Sequence, residues 1–233
     1  MDNRRLEEEV SRLADLVSRL RGPNGCPWDA RQTEDTIRMY LLEETYEVVD
    51  AVEKGVWPEI CGELGDLLFQ IVFLARLAEE KKAFDLVGVV EGITEKMIRR
   101  HPHVFGSVRA DTPEEVAENW AKIKREENRG DKAGANDLCA VPDGLPALLR
   151  AHRLNQKAAV AVDVAGDPRG DLDDIEKDLE YLKAALIAAD RDALEERLGA
   201  LFFDLAGLAG RYGSNAEDVL RKTNRRFANR TPS

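Results

Sequence analysis

The chain lacks the features that define several large classes of protein. Its three cysteines, Cys26, Cys61 and Cys139, are odd in number and widely spaced, which argues against a disulfide framework and a CxxC metal site. Its longest nearly apolar run, Leu67 to Ala75, contains Gln70 and is far shorter than the ~18 to 20 residues that cross a bilayer. We therefore expect reduced thiols and no membrane span.

The chain also has no excess of basic charge. It carries 34 Lys and Arg against 45 Asp and Glu, a formal net charge of −11, so general nucleic-acid binding is disfavoured. A small polyanion could still be held through metal ions. The N-terminal residues MDNRRLEEEVSRL are charged and do not form the apolar stretch of a secretory signal. We therefore expect the protein to be cytoplasmic. Because 43% of its residues are hydrophobic, we also expect it to be globular.

Helical periodicity is the dominant pattern, and no segment alternates with period two for long enough to predict a strand. We therefore expect an all-α fold. The pattern predicts a third helix that starts near Pro58 and carries apolar residues as far as Ala75. It predicts the other helices at about 6–21, 34–54, 85–99, 112–127, 146–160, 171–189, 191–211 and 216–228. Capping boxes are expected at Thr112 and Ser214. The third helix is apolar almost all round from Leu67 to Ala75, so it should be central in a bundle.

The chain is predicted to contain two related helical units. Residues 128–144 are rich in Gly, Asn and Asp and indicate a linker between a domain at 1–127 and a domain at 145–233. A shift of 134 residues aligns 64–75 with 198–209, with six identities in twelve positions. Leucine-rich helices can match by chance, but this agreement favours two tandem copies of one helical bundle.

Acidic residues cluster on two neighbouring predicted helices. Glu43, Glu44 and Glu47 lie on the second helix, and Glu63 and Asp66 lie on the third. Residues three positions apart share a helix face, so an antiparallel pair of helices would bring four of these carboxylates together. Four carboxylates this close to one another repel, so the cluster requires a cation between its members. Ligand sets made only of oxygen atoms suit Mg²⁺ or Mn²⁺. The alternative is solvated surface acids, although Glu63 and Asp66 lie in the most hydrophobic helix.

Three motifs, in order, resemble those of the MazG family of nucleoside triphosphate pyrophosphohydrolases. They are CPWDARQT at 26–33, the EExxE and ExxD pair at 43–47 and 63–66, and KMIRRHPHVFG at 96–106. The resemblance covers almost the whole chain, including the tandem layout. It implies an all-α fold with Mg²⁺ held by carboxylates on neighbouring helices. It also implies hydrolysis of NTPs or dNTPs between the α and β phosphates, which gives a monophosphate and pyrophosphate.

The resemblance further implies roles for individual residues. The metal ligands of the family fall on Glu44, Glu47, Glu63 and Asp66. Glu43 would lie beside these ligands or contact the substrate. Phosphate contacts would come from Lys96 and Arg100, and Trp120 would stack on the base.

Each of these substrate contacts has an alternative explanation. Lys96 and Arg100 could instead interact with the C-terminal dipole of their own helix. A lone Trp on a helix, such as Trp120, is often a packing residue. His101 and His103 resemble a metal pair, but without a third nitrogen or sulfur ligand in evidence we expect both to be structural.

The second predicted copy does not keep the acidic ligands. Under the same shift, Lys177, Asp178, Tyr181, Arg197 and Ala200 stand opposite Glu43, Glu44, Glu47, Glu63 and Asp66. A site with one acid cannot hold a hard divalent cation as four acids do. We therefore predict that the second copy is catalytically silent and that activity resides in residues 26–125.

The second copy nevertheless keeps apolar residues that should pack on the first copy or on another chain, and we expect a homodimer. Two rival hypotheses stay open. The chain could be a non-catalytic helical module that senses nucleotides or binds a partner. It could also be a pyrophosphatase selective for one base, such as a dCTP- or dUTP-preferring enzyme. A role in clearing aberrant or excess nucleotides follows only from the resemblance.

Overall fold

The structure, a computed structural model, describes residues 2–131, 141–162 and 168–230, and the regular elements in these ranges are all helical. The all-α prediction is confirmed for them. The helices are α1 (Asn3–Arg21), α2 (Glu34–Lys54), α3 (Trp57–Glu80), α4 (Leu86–Arg100), α5 (Pro102–Phe105), α6 (Pro113–Asp131), α7 (Ala147–Val162), α8 (Pro168–Ala188), α9 (Arg191–Arg211) and α10 (Ala216–Ala228). Most of the predicted linker, with Cys139, lies outside the described residues.

Contacts within the chain divide it into a first unit, residues 1–127, and a second unit, residues 128–233. The first unit contains α1 to α5 and most of α6, and the second contains α7 to α10. Among the described residues, no helix is both long enough and apolar enough to cross a membrane. The interpretation of the second unit as a degenerate copy of the first stays a prediction.

The core of the first unit lies between α1, α2 and α3. Five buried side chains form its centre: Val17, Ile37, Val72, Phe73 and Leu77. The buried guanidinium of Arg21 lies 5.3 Å from the Phe73 ring centroid, pairs with Glu80 at 2.7 Å, and donates to the Asp29 carbonyl at 2.6 Å. This pairing fixes the end of α1 to the end of α3.

The α2–α3 hairpin is the frame of the acidic cluster. Thr33 and Thr36 form a reciprocal capping box that starts α2. Gly55 ends the helix in the left-handed region, with φ of 73°. Only one more residue, Val56, separates it from α3, so the two helices return antiparallel and share a long contact.

The second unit is centred on α9, which contacts α7, α8 and α10. Ala206 is completely buried, and Gly207 allows α7 to approach closely, because a Cβ there would lie 2.7 Å from the Asn155 side-chain oxygen. The Asn155 amide donates to the Phe203 carbonyl at 3.2 Å. A small residue and a polar side chain therefore set the spacing of α7 and α9.

Several sequence-based details were wrong. Pro102 starts the short helix α5, which was not predicted, because proline suits the first helical turn. Helix α6 continues to Asp131 instead of ending near Glu127. Helix α10 is capped by the Asn215 side chain, which accepts from the Glu217 and Asp218 amides, rather than by Ser214. At α6 the Thr112 hydroxyl accepts from the Glu115 amide as predicted, but the Glu115 carboxylate accepts from the Asp111 amide.

Helix α3 is central in the first unit, as expected, because it contacts α1, α2 and α4, but it is not buried all round. Its C-terminal half is buried, but Leu64, Leu68 and Ile71 are 49%, 44% and 38% exposed. The reason is that α3 packs on α1 and α2 on one side, with α4 close by, so an apolar strip is left at the surface of the described unit.

Candidate active site

Three carboxylates converge on the α2–α3 hairpin. Glu44, Glu63 and Asp66 each offer one oxygen, and these oxygens lie within 4.8 Å of one another. Glu44 and Glu63 are partly buried and Asp66 is exposed. The cluster is therefore open to solvent on one side and enclosed by the hairpin on the other.

The register of the hairpin explains this convergence. Glu44 lies eleven residues before Gly55 and Asp66 lies eleven residues after it. Antiparallel helices rise equally per residue, so equal distances from the turn place these side chains at one level. Glu63, one turn before Asp66 on the same face, completes the group.

The electrostatics of the cluster are unfavourable without a cation. Burial raises the pKa of Glu44, and the charges of Asp66, Glu47 and Glu43 raise it further against a hydrogen bond from Gln70. Burial likewise raises the pKa of Glu63, with further contributions from the charge and hydrogen bond of Glu47 and from the charges of Asp66 and Glu44. Both shifts mean that desolvation and repulsion make the ionised forms of Glu44 and Glu63 less stable than those of exposed acids.

The other two predicted acids lie at the edge of the group. Glu47 contacts Glu63 through a side-chain hydrogen bond, so it adjoins the cluster without being one of the three converging oxygens. Glu43 is exposed and acts on Glu44 only through its charge. The structure thus brings Glu44, Glu47, Glu63 and Asp66 into one neighbourhood and leaves Glu43 on its margin.

Gln70 is a site neighbour that the sequence analysis missed. It is buried, and its Nε2 donates to Glu44 Oε1 at 3.5 Å. The signal was present, because Gln70 is the polar interruption in the longest apolar run and lies one turn after Asp66. Its amide orients Glu44 from the protein side, which leaves the other carboxylate oxygen for a ligand.

The residues present fit a divalent metal ion. Their donors are all carboxylate oxygens, which hard cations such as Mg²⁺ prefer. A cation between them would relieve the repulsion that adds to burial in raising both pKa values. Glu44, Glu63 and Asp66 would hold the ion, and Glu47 is near enough to Glu63 to join them.

The predicted phosphate contacts lie on α4 and have different surroundings. Lys96 is exposed, whereas Arg100 is mostly buried and pairs with Glu127 of α6. Glu127 Oε2 accepts from Arg100 Nη2 at 2.6 Å and from Arg100 Nε at 3.1 Å, and Glu127 Oε1 accepts from Arg99 Nε at 2.7 Å. The two guanidinium groups hold the pKa of Glu127 down to about 2, mainly through the Arg100 hydrogen bonds.

Trp120 and the two histidines lie together between α4 and α6. The His101 ring meets the Trp120 ring edge-on at 5.6 Å between centroids, and the His103 ring lies 5.6 Å from that of His101. His101 Nδ1 is bonded to the Met97 carbonyl at 2.7 Å, which fixes the ring. Trp120 remains 38% exposed, so part of the indole is accessible.

In the second unit, the positions that correspond to the acids have a different arrangement. Arg197 pairs with Asp178 at 3.5 Å and lies over the Tyr181 ring at 4.8 Å from its centroid. Burial raises the pKa of Asp204, and a hydrogen bond with Asp178 and the charge of Asp178 raise it further. A guanidinium, that of Arg197, thus stands at the position that the 134-residue shift aligns with Glu63.

A family model matches part of the first unit, and two known proteins align with nearly all of this chain. Residues 32–105 match the family model described as the MazG nucleotide pyrophosphohydrolase domain. The nucleoside triphosphate pyrophosphohydrolase of Escherichia coli (strain K12) is 42% identical over 225 residues, 95% of this chain and 85% of that protein. The nucleoside triphosphate pyrophosphohydrolase/pyrophosphatase MazG of Thermotoga maritima is 37% identical over 218 residues, 94% of this chain and 82% of that protein.

Among solved structures, a mazG-related protein from Thermotoga maritima aligns with a TM-score of 0.43 and 28% identity. The alignment covers 49% of this chain and 98% of that chain.

Proposed function

Because this chain belongs to the MazG family of nucleotide pyrophosphohydrolases, we propose that it hydrolyses nucleoside triphosphates at the acidic cluster of its first unit. The products are a nucleoside monophosphate and pyrophosphate. The resemblance seen in the sequence is confirmed by the family match and by relatives that carry this name. The chain is therefore a hydrolase whose substrates are nucleotides.

The observation that supports the location is the convergence of Glu44, Glu63 and Asp66. We assign metal ligation to these three residues and to Glu47, with Mg²⁺ as the ion and Mn²⁺ as a possible substitute. When bound, the ion would supply positive charge for the phosphate oxygens and would polarise the phosphoryl group as a Lewis acid. The cluster does not single out a general base, and Glu43 stays a candidate for substrate contact.

The remaining assignments concern substrate binding. Lys96 and Arg100 supply cations that bind the phosphates, both in the substrate and in the pyrophosphate that leaves. The exposed part of Trp120 offers a stacking surface for the base, and such stacking tolerates any base. This arrangement favours broad base acceptance over selectivity for one base.

We assign no catalysis to the second unit. Of the five residues aligned with Glu43, Glu44, Glu47, Glu63 and Asp66, only Asp178 is an acid, and it pairs with Arg197. Tyr181 and Ala200 cannot replace two carboxylate ligands. The second unit therefore has a structural or regulatory role in this proposal.

The proposal includes a homodimer. Leu64, Leu68 and Ile71 form an exposed apolar strip on α3, and α4 also has exposed apolar side chains, at Val87, Val90 and Ile93. Such faces are usually covered in a helical bundle, and a second copy of the chain can cover them. A cytoplasmic role in clearing aberrant or excess nucleotides completes the proposal.

Product analysis tests the reaction and its location together. Wild-type protein with Mg²⁺ and a panel of NTPs and dNTPs should release monophosphate and pyrophosphate. Glu44→Gln and Asp66→Asn should lose this activity, while Asp178→Asn, the matched change in the second unit, should keep it. Release of orthophosphate and diphosphate, or no turnover with any nucleotide, would contradict the proposal and favour a non-catalytic module.

A further inference from the structure

Helix α6 meets the end of α4 through two side-chain contacts that are seven residues apart. Trp120 packs on His101, and two turns later Glu127 binds Arg99 and Arg100. Residues seven apart lie on one face of a helix, so α6 presents a single face to this end of α4. The proposed base-stacking residue and the residue paired with the proposed phosphate-binding arginine are therefore on the same side.

The geometry of the Glu127 pair leaves Arg100 able to bind a phosphate. A guanidinium carries five N–H donors in one plane. Glu127 takes the edge formed by Nε and Nη2, at 3.1 and 2.6 Å, so the Nη1 end is not part of the pair. A guanidinium fixed by one edge keeps its plane and direction, and its other end can donate to a second acceptor.

The net charge around Glu127 also favours phosphate binding by Arg100. One carboxylate stands between two guanidinium groups, so the group of Arg99, Arg100 and Glu127 has two positive charges against one negative and remains cationic. Glu127 also separates two like charges that neighbour each other in sequence. The Arg100 and Glu127 side chains are only 15% and 20% exposed, so the pair is shielded from much of the solvent screening.

We propose that Glu127 is a positioning residue that holds Arg100 in the orientation in which it binds the phosphates of the substrate. This inference rests on the proposed function, because it requires that Arg100 contacts the triphosphate. Glu127 itself does not touch the substrate. It acts through the guanidinium plane of Arg100, and Arg99 supports its carboxylate from the other side.

Steady-state kinetics of the full-length chain test the proposal. Glu127→Ala should raise KM for a Mg²⁺–NTP substrate about tenfold and raise Ki for inorganic pyrophosphate in parallel, with a smaller change in kcat. Glu127→Gln should lie between, because its amide oxygen can accept one hydrogen bond but carries no charge. Glu126→Ala, which removes an exposed acid one position away, is the matched control and should leave KM unchanged.

The double variant Arg100→Ala/Glu127→Ala identifies the route of the effect. If Glu127 acts through Arg100, the double variant should be no worse than Arg100→Ala alone. A full additional loss in the double variant would show that Glu127 acts by another route. A merely structural role would lower the melting temperature and the active fraction of Glu127→Ala without changing KM or the pyrophosphate Ki.

The remaining outcomes separate this inference from the proposed function. If Arg100→Ala raises KM but Glu127→Ala leaves KM unchanged, Glu127 does not position Arg100. If Glu127→Ala lowers KM, Glu127 competes with the phosphates for Arg100. Either result contradicts this inference but leaves the proposed function intact. If Arg100→Ala has no effect on KM or Ki, the assignment of Arg100 fails and takes the inference with it. If wild type releases no pyrophosphate, the proposed function itself fails.

Discussion

The α2–α3 hairpin of the first unit and the α8–α9 hairpin of the second differ in charge but share a backbone plan. Under the 134-residue shift, Gly55 corresponds to Ala189, and both residues turn the chain in the left-handed region, with φ of 73° and 52°. Each turn joins two helices of similar length. Two helical hairpins with similar turns and helix lengths therefore form from different sets of side chains.

The charges at the corresponding positions show what the hairpin does not require. The first unit brings Glu44, Glu63 and Asp66 together, and none of the ion pairs seen among the described residues joins one of these acids to a Lys or Arg. In the second unit, Arg197 stands at the position of Glu63 and pairs with Asp178. Because the second hairpin forms without such an acidic group, a hairpin of this kind does not require one, and this contrast supports the proposed metal site in the first unit.

A second pair of positions shows the same contrast. In the first unit, the Gln70 amide donates to Glu44. The corresponding pair in the second unit is Asp204 and Asp178, two acids that share a hydrogen bond, and the pKa of Asp204 is raised. Gln70 supports an ionised carboxylate, whereas Asp204 can donate to Asp178 only while it keeps its own proton.

The largest expected effect comes from exchanging the two charge patterns. Glu63→Arg would place a guanidinium beside Glu44 and Asp66, as Arg197 lies beside Asp178, and would exclude a divalent ion. We expect kcat/KM for NTP hydrolysis to fall by about 10³-fold or more, because charge stabilisation by the ion is lost. Arg197→Glu, the reverse change in the second unit, should leave turnover within about twofold of wild type. An active Glu63→Arg enzyme would show that the two patterns are equivalent for catalysis.

Metal affinity should depend on pH in the first unit. Glu44 and Glu63 have raised pKa values, so their protonated forms persist to higher pH than usual, while a cation binds the ionised forms. Mg²⁺ binding should therefore release protons and weaken as pH falls through these pKa values, by up to about tenfold per pH unit for each proton released. Calorimetry in two buffers of different ionisation enthalpy measures this. Equal affinity at pH 5 and pH 8 would contradict the carboxylate site.

A smaller effect is expected from Asp204→Asn, which would give Asp178 an amide donor as Gln70 gives Glu44 one. The raised pKa of Asp204 means that the folded state holds this proton more tightly than the unfolded state, so stability is lost as pH rises through that pKa. Asp204→Asn keeps a donor for Asp178 at every pH. We expect it to raise the free energy of unfolding by about 1 kcal/mol at pH 7 and not at all near pH 3.

Denaturant unfolding of the second-unit transition at several pH values measures this difference. Glu176→Gln, a change of an exposed acid on α8, controls for the loss of one negative charge. A gain of similar size at both pH values would mean that the Asp204 proton is not the cause.

The smallest effects concern the two left-handed turns, where opposite substitutions should have opposite signs. A Cβ on Gly55 would meet nothing within 4 Å, so Gly55→Ala is opposed only by its positive φ. We expect a loss of about 1 kcal/mol. Ala189→Gly should relieve the same strain and stabilise by about 0.5 kcal/mol, since the greater freedom of unfolded glycine offsets part of the gain. Thermal unfolding measures both, and equal signs would refute the correspondence of the turns.

Local sequence signals were sufficient for most of the fold. Helix α2 begins and ends at the predicted residues, Glu34 and Lys54, because its cap and its terminal glycine are adjacent in sequence. Hydrophobic periodicity likewise predicted α9 at its observed bounds, Arg191–Arg211. Helix α5 was missed because its four residues are too few to show a period.

Partners distant in sequence were less accessible. The contacts of Gln70 with Glu44 and of Arg100 with Glu127 join residues 26 and 27 apart, and no periodicity within one helix specifies such pairs. The exposed strip of α3 was missed for the same reason, since composition gives the apolarity of a helix but not which neighbours cover it. The convergence of Glu44, Glu63 and Asp66 was more accessible, because a short turn constrains the register of the hairpin, whereas Glu47, expected to converge with them, lies at the edge of the group.

The most direct test of the difference between the two units is Mg²⁺ binding to matched variants, measured by titration calorimetry without nucleotide. The account predicts that wild type and Asp178→Asn bind Mg²⁺ alike, because Asp178 already has Arg197 as its cation, and that Asp66→Asn loses the binding. Binding that survives in Asp66→Asn, or that is lost in Asp178→Asn, would contradict the assignment of the metal site to the first unit.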